Sequence, residues 1–316
     1  MILEEINASG GNAATCHAQM YTMGTILRHG SEEQKQRYLP GVAGGELRLQ
    51  AFAITEPTAG SDTTRIQTIA RRTKDGFVIS GQKIWTSRAL HSDLMLLLCR
   101  TTPRDEVNKP TAGLSVFLVD LREHPDAVQI RPIKTMMNHH TTEVFLDDLH
   151  VPAEALVGRE GEGFRYILDG MNAERILIAA ECIGDGRWFV DRATRYASER
   201  VVFDRPIGMN QGVQFPIAQA HIAVRAADLM RFEAARLFDA GLPCGEEANS
   251  AKYLASEASW LAANVALDVH GGFGFASEYD IERKFRETRL YRTAPVSINL
   301  VLSYVSQHVL GLPRSY

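Results

Sequence analysis

The chain has 316 residues, 34 basic and 38 acidic, with a formal net charge of −4, enough for one large domain or two to three modest ones. With no long basic run, that balance argues against a nucleic-acid partner. Hydrophobic residues make up 45% and charged residues 23%, an ordinary soluble composition, and no apolar run approaches the roughly 20 residues of a membrane span.

Cys16, Cys99, Cys182 and Cys244 are widely separated and include no C-x-x-C pair. They read as reduced thiols of a cytoplasmic protein, with neither a metal site nor a disulfide framework. No cleavable signal is visible. From Met1 to about Glu46 the texture is helical, with Ile2, Ile6, Met20, Met23, Ile26 and Leu27 at helical spacing. Ser31-Glu-Glu-Gln predicts a helix start, a hydroxyl cap followed by acids in the first turn. Short strands follow at Leu49–Thr55, Thr68–Arg72, Phe77–Ser80, Leu94–Arg100, Leu114–Asp120, Val128–Ile133 and Thr142–Leu146. Lys74-Asp75-Gly76 is a hairpin turn between two of them. Strands so punctuated predict a small β barrel or sandwich. Beyond Gly161 the pattern is helical again, in segments near 161–199, 212–240, 245–271, 278–292 and 295–310, which predicts an antiparallel bundle. The expected fold is α+β, with a helical part at 1–48, a middle β domain at 49–155 and a C-terminal four-helix bundle at 156–316.

Chemistry concentrates in a few segments. AFAITEPTAGSD (51–62) carries a strand into a turn of small and hydroxyl residues, where backbone N–H groups, Thr55 and Ser61 are free to face a ligand and Gly60 permits close approach. Alone it serves equally well as a surface loop. QKIWTSR (82–88) sets Trp85 and Ser87 on one side of a strand, as a flat binding surface or as an aromatic anchor. ERVVFDRPIGMNQGVQ (199–214) closes a helix with Arg200 and Phe203, Arg200 suiting either the helix dipole or a phosphate. HGGFGFASEY (270–279) pairs glycines after a helix, which is not a Rossmann fingerprint because no strand precedes it. The basic stripe Arg283, Lys284, Arg286, Arg289 and Arg292, interleaved with Glu282 and Glu287, reads as a solvated or inter-subunit salt-bridge face rather than a ligand site. Phe164, Leu168, Met171, Ile178 and Cys182 form an apolar stripe flanked by Glu174 and Arg175. There Glu174 is either half of a structural ion pair or a carboxylate in a dry pocket suited to taking a carbon-bound proton.

In this order, and over essentially the whole chain, these segments resemble the acyl-CoA dehydrogenases. Those enzymes carry further helices before the point matching Met1, so the resemblance implies a chain lacking the first N-terminal helices. It implies FAD as cofactor, held by Phe52, Ile54, Thr55, Gly60, Ser61, Trp85, Thr86 and Ser87. In the family the matching Trp stacks on the flavin and the hydroxyl bonds its ring. Ser297 and Asn299 are also implied at the cofactor, and across a subunit boundary Arg200, Phe203, Gln211, Asp268, Gly271 and Gly272 complete the site, which implies a homo-oligomer, a tetramer. Asp268 stands where an amide is often seen and suits ribose hydroxyls better than phosphate. Ser61, Asn172, Arg175 and Val296 are expected at an acyl-CoA substrate, and an electron-transfer flavoprotein as acceptor.

Most members take the α-proton with a Glu in the last segment. Here that position is Pro295, within Leu290-Tyr-Arg-Thr-Ala-Pro-Val-Ser297. A smaller group, including the isovaleryl-CoA and long-chain enzymes, uses a Glu immediately before the helix Arg, and this chain has that residue, Glu174. Proline also lacks the N–H that polarises the thioester carbonyl in the family. The expected function is therefore an FAD-dependent acyl-CoA dehydrogenase with Glu174 as base. The rivals are an enzyme of the same fold catalysing a non-redox elimination or desulfination, and an inactive FAD-binding scaffold.

Overall fold

The structure is a computed structural model describing residues 1–137 and 139–315. The chain divides into two compact units, residues 14–171 and residues 1–13 with 172–316.

The first unit opens with α2 (Ala14–His29) and α3 (Glu32–Gly44), which follow α1 (Ile2–Ala8) of the other unit. Ser31 starts α3 with a full capping box: its Oγ accepts from the Gln34 N–H while the Gln34 side chain accepts from the Ser31 N–H. The strands are β1 (Leu49–Ala53), β2 (Ile69–Arg72), β3 (Gly76–Ser87), β4 (Leu94–Arg100), β5 (Leu114–Asp120), β6 (Val128–Pro132), β7 (Thr141–Pro152) and β8 (Leu156–Val157). They form one mixed sheet in the order β6-β7-β3-β2-β4-β5-β8, and β1 pairs in parallel with β4. What the sequence reads as a small barrel is thus realised as a sheet whose hydrogen-bonded path ends at β6 and β8. β4 explains its own unbroken apolar run. Met95, Leu97 and Cys99 pack into one core cluster, while Leu94, Leu96 and Leu98 pack into another with Ile26 of α2 and Val42 of α3. A strand buried on both faces has no polar face to alternate with. β3 and β7 run longer than their sequence signals, because they pair with each other from Gly76↔Pro152 to Ser87↔Thr141.

The second unit holds most of α4 (Gly163–Glu199), the hairpin β9 (Val201–Val202) and β10 (Arg205–Pro206), α5 (Gln211–Asp239), α6 (Gly245–His270), α7 (Ile281–Thr288) and α8 (Ile298–Tyr304). Its core is rich in alanine, with Ala179, Ala227, Ala234, Ala251, Ala255 and Ala258 buried together, which lets helix backbones approach closely. The expected helix over 278–292 is broken into 3-10 turns around a short α7, since Asp280 adopts a left-handed conformation at φ 65°. The last helix starts at Ile298, where Ser297, extended at ψ 151°, caps it by accepting from the Leu300 N–H. α1 docks through polar groups. Asn7 donates to Asp185 Oδ1 at 2.9 Å and Tyr291 Oη at 3.2 Å, and buried Glu4 bridges Arg187 and Arg231. Leu168 departs from the expected apolar stripe: it is 52% exposed.

Candidate functional site

Two clusters of expected site residues are assembled, one in each unit. In the sheet unit, β1 delivers Phe52 and then the loop of Ile54, Thr55, Gly60 and Ser61. The Ile84 N–H donates to the Thr55 carbonyl at 2.9 Å, so this loop lies beside the end of β3 that carries Trp85 to Ser87. Between Lys83↔Val144 and Thr86↔Thr142 the β3–β7 register shifts, and Ile84 and Trp85 occupy the bulge. Trp85 takes φ 60° and is 56% exposed. A bulky residue in left-handed geometry is costly, and such costs gather where a side chain is being aimed at something. From Trp85 onward the strand alternates again, with Thr86 buried and Ser87 half-buried. Thr86 differs from its neighbours in offering no outward side chain: its carbonyl accepts from Thr142 Oγ1 at 2.7 Å, and its own hydroxyl makes no hydrogen bond.

This face suits a flavin. It offers a bare indole plane, a half-buried hydroxyl two residues on, and a loop whose Gly60 has no atom within 4 Å of where a Cβ would stand.

In the bundle unit, Glu174 on α4 is 7% exposed. Arg175 donates to Asn172 Oδ1 at 3.1 Å, and its Nε makes no hydrogen bond. Burial holds the Arg175 guanidinium below its ordinary value, partly offset by the charge of Glu174. The Val296 carbonyl accepts from Lys252 Nζ at 2.8 Å, the Ala294–Pro295 peptide before it is cis, and Ser297 Oγ caps α8 by accepting from the Leu300 N–H. Asn299 is exposed. Lys252, fully buried, is pushed down to about 8 by desolvation.

Elsewhere in the same unit Arg200 lies 5.7 Å from the Phe273 ring, which brings it to the turn of Gly271 and Gly272. Tyr196 stacks on His270 at 4.3 Å and holds that turn in place. Gly271 has φ 56°, and a Cβ at either glycine would meet open space. Asp268 and Gln211 are exposed. Phe203 and Asp204, at φ 52° and 60°, are the central residues of the β9–β10 hairpin, an arrangement that ordinarily selects Asn-Gly. Phe203 is nonetheless held at that tip with 93% exposure, strain of the kind that marks a working residue.

Sequence reasoning overlooked the buried cations behind these groups. Lys83 and Lys252 are fully buried, as are Asp185 and Lys284, which pair with each other. The available signal was position: Lys83 falls on the inward phase of β3, and Lys252 on the alanine face Ala248, Ala251, Ala255 of α6.

Three family models match the chain in order. They are the acyl-CoA dehydrogenase N-terminal domain over residues 1–46, the middle domain over 51–149 and the C-terminal domain over 161–295. The acyl-CoA dehydrogenase FadE12 of Mycobacterium tuberculosis is 39% identical over 319 residues, covering 100% of this chain and 81% of the relative. A glutaryl-CoA dehydrogenase of Desulfococcus multivorans is 33% identical over 321 residues, covering 100% and 81%. The crystal structure of an acyl-CoA dehydrogenase from Geobacillus kaustophilus matches with a TM-score of 0.92 at 28% identity, covering 98% and 81%.

Proposed function

The chain belongs to the acyl-CoA dehydrogenase family, whose members are FAD-dependent oxidoreductases, and we propose that it introduces an α,β double bond into an acyl-CoA thioester. Glu174 takes the α-proton, and the electron pair left on the α-carbon becomes the double bond as the β-carbon gives up hydride. FAD, when bound, would supply the hydride acceptor, with an electron-transfer flavoprotein as the acceptor of its electrons. Trp85 and Ser87 would hold the flavin ring, Arg200 would hold the pyrophosphate, Phe203 and Gln211 the adenine side, and Asp268 the ribose hydroxyls.

The observation that carries this reading is Glu174 itself. It is a carboxylate 7% exposed on a continuous helix, in a chain whose other family position for a base is Pro295. Water is largely excluded from it, so a proton on a carbon acid has little competition for the carboxylate. The charge of Glu174 offsets part of the desolvation of Arg175.

Pro295 favours a second reading. It has no N–H to polarise a thioester carbonyl, a donor worth roughly 3 kcal/mol elsewhere. That supports a non-redox elimination or desulfination on the same scaffold. Anaerobic titration with a panel of acyl-CoAs separates the two. A dehydrogenase bleaches the visible flavin band with its substrate, whereas an elimination enzyme leaves the band oxidised. Protein that takes up no FAD on reconstitution overturns both.

The active unit is a homotetramer in which Arg200, Phe203 and Gly272 complete another subunit's flavin site. Support comes from the exposed apolar stripe of α5, where Phe215, Ile222 and Leu229 recur at seven-residue spacing with exposures of 55%, 65% and 68%. No helix among the described residues is long and apolar enough to cross a membrane. The cysteines are free thiols, which fits the reducing cytoplasm.

A further inference from the structure

Lys83 is fully buried in β3, and its Nζ makes two bonds, to the Ile54 carbonyl at 2.9 Å and to Glu56 Oε1 at 2.8 Å. Those acceptors belong to the residues on either side of Thr55. The Glu56 carboxylate, 5% exposed, also accepts from the N–H groups of Gln67 at 2.5 Å and Thr68 at 2.9 Å. The Glu56 backbone in turn exchanges both hydrogen bonds with Ala59 at 3.1 Å. One ion pair therefore holds the entry of the 54–68 loop, brackets Thr55 and pins the loop's exit.

Burying such a pair is a poor route to stability, since apolar side chains of the same volume commonly do as well or better. Apolar side chains, however, cannot fix a carbonyl and amides from opposite ends of a loop at set positions. Desolvation pushes Glu56 up, but Lys83 and the loop's donors outweigh it, so the carboxyl stays below its ordinary value; burial holds Lys83 below its own.

We infer that Lys83 and Glu56 are positioning residues that hold the Thr55–Ser61 loop in its flavin-receiving shape before the cofactor arrives. This rests on the reading of that loop as flavin-binding. A preformed loop spares the ligand the ordering cost on binding, so loosening the clamp should appear as lost affinity.

Two variants test it. Glu56→Asp keeps the charge but is one methylene too short to reach Lys83 and both amides together. The double variant K83M/E56Q removes both charges with little change in volume. The expected result for each is at least about a tenfold rise in the FAD dissociation constant and an altered visible circular dichroism of the bound flavin. In the apoprotein, faster amide exchange is expected at Gln67, Thr68 and residues 58–66, with β4 and β5 as well protected as in wild type. Wild-type FAD affinity, flavin dichroism and loop exchange in Glu56→Asp would overturn the inference, whether or not the double variant folds. If the wild-type protein binds no FAD while the loop exchange still responds to Glu56→Asp, the clamp stands and the flavin reading falls.

Discussion

Replacing Glu174 with Gln preserves volume and hydrogen bonding on α4 while removing the proton acceptor. A positioned base contributes roughly 10² to 10⁴ in rate, about 3 to 5 kcal/mol of barrier, and more for a weak carbon acid. At 7% exposure the site has little water to stand in for the lost carboxylate, so the upper part of that range applies. There is a second consequence for the fold. Arg175 is already desolvated, with its Nε unbonded and its Nη1 donating to Asn172 Oδ1. Without the neighbouring negative charge its burial should cost about 1–3 kcal/mol of stability, lowering the melting temperature by several degrees. The assay is anaerobic stopped-flow mixing of FAD-loaded enzyme with acyl-CoA, alongside equilibrium binding. E174Q should keep its flavin and bind acyl-CoA, yet bleach at least 10²-fold more slowly. Bleaching at a near wild-type rate would refute the assignment of the base. Pro295 could not replace it, and the dehydrogenation reading would fall with it.

Arg200→Ala should weaken FAD retention and assembly together, seen by flavin release on gel filtration and by light scattering; full flavin occupancy in a clean monomer would contradict the shared site. Glu4→Gln leaves Arg187 and Arg231 to share the carboxylate of Asp228, which should cost about 3 kcal/mol in chemical denaturation. Lys252 titrates at about 8 in the folded chain against an ordinary 10.5. The folded state thus sheds this proton first, and stability should rise by about 3 kcal/mol as pH climbs through that window. Denaturant midpoints at about pH 7 and pH 10 should show a smaller rise for Lys252→Met than for wild type, whereas parallel curves would show that the ammonium is not desolvated.

Local chemistry was legible wherever one segment carries it alone. The N-cap at Ser31, the turn at Lys74-Asp75-Gly76 and the continuous apolar strands β4 and β5 follow from nearest neighbours, and the bounds of β4 and β5 were readable to the residue. The order of helical, β and helical stretches was likewise legible. So were the family motifs around Thr55, Trp85 and Gly271, because turns, glycines and an outward Trp leave a mark in sequence. The lengths of β3 and β7 were not, since each extends as far as its partner does. Nor was the breakage within 278–292, where the left-handed Asp280 delays α7 to Ile281 and a 3-10 turn takes over at Arg289.

Charge was the least legible feature. From composition alone Glu4, Glu56, Lys83, Asp185, Lys252 and Lys284 are surface residues, yet all are buried. A buried charge is tolerable only when its partner arrives, and the partners lie far along the chain: Lys83 meets Glu56 across two strands, and Glu4 meets Arg231 from the opposite end of the fold. Periodicity can place such a residue on an inward face, but it cannot supply the partner that makes burial affordable. The sequence by itself determined most of the elements, their order and the family motifs, and it puts a proline at 295 and a carboxylate at 174. Tertiary structure decided which strands lie adjacent, which charges leave water, and how one ammonium comes to hold both flanks of Thr55, because each of these depends on distances that only the folded chain brings within hydrogen-bond reach.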